Sequence, residues 1–124
     1  MPCAAHAVTS LPALESAFTA AVAHSLTLGN DARAKQSSSY PETPTKRLTT
    51  ITTYDRNPHI VASALLRANG ICETCASPAP FPRRTDQTPY LEVHHIIPLA
   101  ANGPDTLANL QALCPNCHRK AHHG

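Results

Sequence analysis

The sequence predicts a small α+β domain, fastened by a structural zinc site and preceded by an extension that is mostly helical or disordered. Three observations support this fold class. The chain has 124 residues, 4% aromatic side chains and no tryptophan, so its hydrophobic core is thin and needs a staple such as a metal. Two C-x-x-C pairs supply four thiols. Strand-like runs lie between these pairs, and a helix-like run follows them.

Composition divides the chain near residue 56, into an extension (1–55) and a domain that carries the chemical motifs (56–124). The extension is rich in Ala, Ser, Thr and Pro. Its apolar residues recur at spacings of three and four, which predicts one amphipathic helix over residues 11–27. Residues 36–46 have the composition of a flexible, partly extended linker. We expect this extension to add little to the chemistry.

The amino-terminal stretch has the features of neither a secretory signal nor a membrane span. It lacks a basic segment, and Pro12, Glu15 and His24 interrupt its apolar residues. We therefore expect a cytoplasmic protein with no membrane partner. The net charge of +2 permits a nucleic-acid partner without arguing for one.

Short elements alternate in the second part of the chain. The predicted elements are a helix from Asn57 and Pro58 to Gly70, a strand over residues 90–97, a turn over 102–105, a strand over 110–113 and a helix over 118–123. Asn and Pro are favoured at a helix start and Gly just after its end. The apolar face of the first helix consists of Val61, Ala64, Leu65 and Ala68.

The two C-x-x-C pairs are the strongest metal signal. They comprise Cys72, Cys75, Cys114 and Cys117, whereas the fifth cysteine, Cys3, stands alone. Each pair can supply two thiolates from one tight turn, so together they complete a tetrahedral zinc site. Disulfides or free thiols are the alternatives, and a reducing compartment favours zinc over disulfides.

Histidines concentrate in the last third of the chain. On a helix, His118 and His122 share one face at a spacing of four residues, where two imidazoles can grip one transition metal. His94 or His95, from the preceding strand, would add a third ligand and leave further positions open. Neighbouring residues of a strand point to opposite faces, so these two rings should do different work. Alternatively, the histidines replace cysteines as zinc ligands or form a solvated tail.

Residues Leu91 to His122, LEVHHIIPLAANGPDTLANLQALCPNCHRKAH, resemble the HNH endonuclease family. With the first C-x-x-C pair, the resemblance extends over about residues 56–124. It implies a ββα-metal fold, in which two antiparallel strands and one helix surround a catalytic ion. Four-cysteine members fasten this motif with structural zinc, and they include restriction endonucleases that act on modified DNA.

The resemblance implies a role for each polar residue of the motif. His95 would be the general base, and Asn109 would fix the loop between the strands and help hold the base in place. His94 and His118 would bind the catalytic ion, with His122 as a third ligand.

The same resemblance implies two kinds of metal and a DNA partner. Besides structural Zn²⁺, a catalytic divalent ion is expected. Imidazole ligands favour zinc, nickel or copper, whereas family members often work with magnesium or manganese. The basic residues expected to contact phosphates are Arg83, Arg84, Arg119 and Lys120. A homodimer would suit double-strand cleavage.

The function predicted from these residues is metal-dependent hydrolysis of DNA phosphodiester bonds. His95 would activate water, and one divalent ion would stabilise the phosphate and the leaving group. The alternative is a zinc-stabilised nucleic-acid-binding module without catalytic activity. A redox role for C-x-x-C is disfavoured, because neither pair opens a helix within a βαβ unit.

Overall fold

The computed structural model describes residues 10–124, which fall into two compact units. The amino-terminal unit ends at Thr53, and the carboxy-terminal unit spans Tyr54–Gly124. The first nine residues of the predicted extension, including Cys3, lie outside the described residues. Within residues 10–124 there are four α-helices and one two-stranded sheet, so the predicted small α+β class is confirmed.

The amino-terminal unit contains two helices where the sequence predicted one. Helix α1 spans Leu11–Leu26, as expected, and the Ser10 side chain caps it. Helix α2 spans Asn30–Ser37 and therefore includes residues 36 and 37, the first two of the predicted linker over residues 36–46. The guanidinium of Arg33 donates to backbone carbonyls at the end of α1 and in the connecting turn, which fixes the second helix against the first.

Helix α3, Pro58–Ala68, opens the carboxy-terminal unit and follows its sequence signals closely. The Asn57 side chain accepts the backbone N–H of His59, which satisfies one unpaired donor of the first turn. Asn69 and Gly70 end the helix with φ angles of 49° and 80°, a left-handed conformation that Asn and Gly tolerate best. The predicted apolar face is buried or half-buried.

The sheet pairs strand β1, Glu92–His95, with strand β2, Leu110–Leu113, in antiparallel register. β2 matches its prediction, but β1 is half as long as the predicted strand over residues 90–97. The strand ends early because Asn109 takes over the hydrogen bonds of the following residues. The backbone N–H of Ile96 donates to the Asn109 carbonyl, and that of Ile97 donates to the Asn109 side chain.

Helix α4, Pro115–His123, follows β2 directly and begins three residues before the predicted helix over 118–123. The hydrophobic core lies between α3 and the sheet, and it includes two of the cysteines. Its buried residues are Ala68, Cys72, Leu91, Ala112, Leu113 and Cys114. Burial of cysteines in this small core places the four-thiol cluster where it can hold the unit together.

Candidate metal centres and active site

Four cysteine side chains converge within the carboxy-terminal unit. The sulfur atoms of Cys72, Cys75, Cys114 and Cys117 all lie within 4.8 Å of one another. Those of Cys75 and Cys114 are 3.9 Å apart. Four thiolates around one zinc ion, at about 2.3 Å each, have sulfurs roughly 3.8 Å apart, so the spacing and the donor set both fit zinc. All four are free thiols rather than disulfides.

Each C-x-x-C pair is held by a tight backbone turn. After the first pair, the N–H of Ala76 donates to the Cys72 carbonyl, and the N–H of Cys72 donates to the Ser77 carbonyl. Ala76 adopts a φ of 59°, a left-handed conformation that costs a residue with a Cβ about 1 kcal/mol. In the second pair, the Cys114 sulfur accepts the backbone N–H of Cys117 and caps α4.

The thiols of this cluster differ widely in acidity. Burial alone would raise the pKa of Cys72, yet hydrogen bonds from the backbone of Cys75, Cys114 and Thr74 lower it to about 6. The hydrogen bond with Cys114 raises the pKa of Cys117 to about 12. Cysteines bind zinc as thiolates, so uptake of a metal by this site is expected to release protons.

A second cluster, built from three histidines, lies between β1 and α4. The ligand nitrogens of His94, His118 and His122 all lie within 4.8 Å of one another. Nε2 of His118 and Nε2 of His122 are 3.0 Å apart. Two imidazole nitrogens bound at about 2.1 Å to one ion are roughly 3 Å apart at a right angle, so this pair fits a shared metal. His118 is half-buried and His122 is exposed, in contrast to Cys72 and Cys114.

A carboxylate fixes one of these imidazoles. Glu92 accepts from His118 Nδ1 at 2.8 Å and from the Tyr90 hydroxyl at 2.8 Å. These hydrogen bonds, that of His118 first, lower the pKa of Glu92, so it is ionised at neutral pH. A proton on His118 Nδ1 leaves the Nε2 lone pair for a metal, the carboxylate–histidine arrangement common around metal sites. Sequence reasoning missed Glu92, although its position two residues before His94 places both on one strand face.

His94 is suited to bind a cation in its neutral form. Partial burial lowers its pKa, and the neighbouring imidazoles of His118, His122 and His95 lower it further. A lower pKa keeps the ring unprotonated at neutral pH, the state in which a histidine binds metal.

The His95 ring contacts a different partner, Asp105. Its Nε2 lies 2.9 Å from Oδ1 of Asp105, and the side chains of His95 and Asp105 are 9% and 24% exposed. The other carboxylate oxygen, Oδ2, accepts the backbone N–H of Asn57 at 2.7 Å. The bond from Asn57 and then that from His95 lower the pKa of Asp105. Sequence reasoning treated Asp105 only as part of a turn, because nothing local signals a contact ten residues back.

Asn109 is buried, with 6% of its surface exposed, and its side chain is fully engaged with the backbone. The amide accepts the N–H of Ile97 at 2.9 Å, and donates to the carbonyl of Ile97 at 2.9 Å and to that of Pro104 at 2.8 Å. These bonds tie the end of β1 to the loop that carries Asp105. Both hydrogens of the Asn109 amide are therefore donated to backbone carbonyls.

The three-histidine cluster and His95 line the same cavity, which has a volume of about 290 Å³. Its lining comprises Arg56, Val93, His94, His95, Pro98, Leu99, His118 and His122. Three potential metal ligands, the predicted base and one guanidinium therefore meet at a single solvent-accessible surface. Arg56 makes no ion pair or side-chain hydrogen bond with the described residues, so its charge is available to an anion.

The four predicted phosphate contacts differ in availability. Arg84, Arg119 and Lys120 are exposed and make no ion pair within residues 10–124. Arg83 instead donates to the Leu91 carbonyl and lies over the Tyr90 ring, 4.8 Å from its centre. Arg83 thus braces the residues that precede β1, and Tyr90 in turn contacts Glu92.

One segment of the chain matches a known protein family. Residues 72–124 match the family model described as HNH endonuclease. This segment of the chain is therefore similar to HNH endonucleases. The matched segment contains both C-x-x-C pairs and the whole histidine cluster, and the resemblance inferred from the sequence is confirmed.

Two characterised proteins are similar to parts of the chain. The type IV methyl-directed restriction enzyme EcoKMcrA of Escherichia coli (strain K12) is 53% identical over 70 residues, which are 56% of this chain and 25% of that enzyme. Anaredoxin of Nostoc sp. (strain PCC 7120 / SAG 25.82 / UTEX 2576) is 45% identical over 31 residues, which are 25% of this chain and 41% of that protein. The chain thus spans a quarter of the length of the restriction enzyme and about two fifths of the length of anaredoxin. Among residues 10–124, no helix has the length and apolar character needed to span a bilayer.

Proposed function

We propose that the unit formed by residues 54–124 is a metal-dependent HNH endonuclease that hydrolyses phosphodiester bonds of DNA in a restriction-type reaction. One observation carries the proposal: three imidazoles with converging nitrogens share a cavity with a fourth histidine that is oriented by a carboxylate. A module that only binds nucleic acid has no need for this arrangement. The relatives support the same reaction class, since one of them is named as a restriction enzyme.

In the proposed reaction, His95 is the general base. It takes a proton from a water molecule, whose oxygen attacks phosphorus while the bond from phosphorus to the 3′-oxygen breaks. The leaving oxygen is then protonated from solvent. An imidazole suits this role because its ordinary pKa is close to neutral pH. Low exposure of the His95 side chain and its bond to Asp105 limit its rotation, so the ring is held ready before DNA binds.

The two clusters are proposed to hold different metals. The four cysteines would bind structural Zn²⁺. His94, His118 and His122 would hold a divalent ion (Mg²⁺, Mn²⁺, Ni²⁺ or Zn²⁺), which neutralises the phosphate and stabilises the departing 3′-oxygen. Glu92 contributes by fixing the His118 ring in the tautomer that leaves Nε2 free.

Exposed cations beside the cavity are proposed to position the DNA backbone. Arg119 and Lys120 follow His118 directly on α4, and Arg56 lines the cavity itself. Phosphate contacts of this kind fix the position of the DNA without reading its sequence. Arg84 is a weaker candidate, because no described contact places it near the cavity.

The experiment is a plasmid-cleavage assay of wild type and His95→Ala with magnesium, manganese, nickel or zinc. Methylated and unmethylated plasmids are compared, because one relative is named as methyl-directed. We expect wild type to cut, and His95→Ala to lose about 100-fold or more in rate at unchanged zinc content. His123→Ala is the matched control, since His123 is also exposed on α4 but lies outside the histidine cluster.

Two results would contradict the proposal. Binding of DNA by wild type without cleavage, under every metal and with either plasmid, would leave a zinc-stabilised binding module. Equal cleavage by wild type and His95→Ala would show that another group activates water.

A further inference from the structure

We infer that Asp105 is a positioning residue for the general base, and that it selects which nitrogen of His95 receives the proton. The inference rests on the proposed nuclease function and deepens it. It concerns a carboxylate that lies outside the histidine cluster and outside the residues predicted from the sequence.

Both carboxylate oxygens of Asp105 act as hydrogen-bond acceptors. Oδ2 accepts the N–H of Asn57, a backbone group that can only donate. Oδ1 lies 2.9 Å from His95 Nε2 and, as a carboxylate oxygen, can only accept. Nε2 therefore carries the hydrogen, and the lone pair of the neutral ring lies on Nδ1. The free lone pair at Nδ1 makes that atom the one that takes the proton from water.

The setting of this pair favours a fixed tautomer. The His95 side chain is 9% exposed, so water does not compete freely for its ring nitrogens. The loop that carries Asp105 is itself held by Asn109, whose amide donates to the Pro104 carbonyl at 2.8 Å. Asn109 thus links the end of β1 to the loop that carries Asp105, and Asp105 links this loop to His95.

Asparagine cannot replace Asp105 in this position. If its oxygen keeps the Asn57 N–H, its amino group faces His95 Nε2 and favours the tautomer with the proton on Nδ1. If its oxygen faces His95 instead, two donors meet at Asn57. Asp105→Asn is therefore nearly the same size as the native residue, yet it opposes the arrangement that catalysis needs.

A purely structural role for Asp105 is the competing explanation, because its second bond tethers the start of α3. Asn57→Pro separates the two roles. Proline has no N–H to donate, and the φ of Asn57, −74°, already suits its ring. This variant removes the tether, together with the Asn57 cap, but leaves the contact between Asp105 and His95 in place.

The test uses the full chain in two measurements. The first is the His95 tautomer, from ¹⁵N chemical shifts of histidine-labelled protein with zinc as the only added metal. We expect the proton on Nε2 in wild type, and an increased share on Nδ1 in Asp105→Asn. The second is the single-turnover cleavage rate at saturating protein, with the Kd for the plasmid measured in parallel. We expect Asp105→Asn to slow cleavage about 100-fold while the Kd changes less than about threefold.

Three further variants complete the set. Asp105→Glu keeps a carboxylate and should recover part of the rate. Asn57→Pro should cut at a rate within a few-fold of wild type. Asp86→Asn is the matched control, because Asp86 also accepts two hydrogen bonds, from Thr88, but lies outside the histidine cavity. It should cut as wild type does.

The possible failures are distinguishable. If wild type cuts no DNA, the proposed function fails, and the tautomer measurement still decides the assignment of the proton. A wild-type His95 with its proton on Nδ1 would overturn the inference, whether or not the variants fold. So would unchanged cleavage by Asp105→Asn, or equal losses of rate in Asp105→Asn and Asn57→Pro with the tautomer unaltered.

Discussion

The two clusters of potential metal-binding side chains in residues 54–124 differ in their number of donors and in their access to solvent. The thiol cluster draws Cys72 and Cys114 from the hydrophobic core and provides four donors, which complete a tetrahedral site. The histidine cluster provides three donors, of which that of His122 is exposed, and it opens onto a cavity. Similar ligand spacings therefore serve different ends. A closed set of donors in the core suits stability, and an open set at a surface suits chemistry.

The groups that support each cluster differ in the same way. Around the thiols, the supporting contacts are mostly backbone N–H groups of tight turns. Around the histidines, they are carboxylates: Glu92 on His118, and Asp105 on His95. Carboxylates fix tautomers and ring orientations, which matter for a reacting group and not for a structural one.

Loss of one thiol should remove the fold, whereas loss of one imidazole should not. Cys72→Ser breaks a buried ligand position, so we expect the carboxy-terminal unit to unfold and zinc to be lost, because zinc binding in small domains supplies much of their folding free energy. His118→Ala should keep its zinc and melt near wild type, yet lose cleavage. Circular dichroism with zinc analysis measures both. Cooperative folding of zinc-free Cys72→Ser would refute the structural role of the cluster.

Glu92→Gln should weaken the exchangeable metal without affecting the zinc of the thiols. Its carboxylate holds the His118 ring at 2.8 Å, and loss of such a partner costs about 10- to 100-fold in metal affinity. Titration with nickel measures the affinity. Glu15→Gln, an exposed change on α1, is the control and should titrate as wild type does. An unchanged affinity in Glu92→Gln would mean that His118 needs no support.

Glu73 should stabilise the thiol region in a pH-dependent manner. The bond from Arg67, and then that from the Ala112 backbone, lower the pKa of Glu73 below its ordinary 4.5. A carboxyl group with a lowered pKa contributes stability above its ordinary pKa and loses it as the pH falls through the lowered value. Glu73→Gln should therefore cost about 1–2 kcal/mol at pH 7, and the difference should begin to narrow as the pH falls below 4.5 in samples that keep their zinc. Denaturant unfolding at several pH values tests this, and a pH-independent difference would contradict it.

The smallest effect should come from the strained turn beside the first cysteine pair. Ala76 has a φ of 59°, where glycine pays no steric penalty. Ala76→Gly should raise the free energy of unfolding by about 1 kcal/mol. Ala62→Gly, an exposed change inside α3, should lower it by a similar amount, since glycine is unfavourable in a helix. The same sign for both changes would show that the turn is not strained.

The sequence predicted best where the signals are local. Asn57, Pro58 and Gly70 mark the two ends of α3, and the structure confirms both ends within two residues. The two C-x-x-C pairs predicted that the four cysteines lie together, because both pairs must contact the same metal ion. Helix α2 was missed because its composition is polar and resembles that of a linker. Only the contacts of Arg33 with α1 and the connecting turn reveal how it is held.

Within the site, residue types could be predicted but not their partners. Strand alternation implies that His94 and His95 face different ways, yet it does not say which one faces α4. The pairing of β1 with β2 settles that His94 lies beside His118 and His122. The contact between His95 and Asp105 depends on the path of the loop after β1, which Asn109 and Gly103 hold. A Cβ on Gly103 would lie 1.9 Å from the Ile97 carbonyl oxygen, so only glycine permits this path. The roles proposed for these residues remain predictions.

We predict that the carboxy-terminal unit holds two metals with separate tasks. Native mass spectrometry with metal analysis tests it on wild type and on the double variant His118→Ala/His122→Ala, before and after dialysis against EDTA. We predict one zinc ion per chain that resists EDTA in both proteins, and a second, exchangeable ion in wild type alone. A double variant that still binds the second ion, or that loses both metals together, would contradict the separation of the two sites.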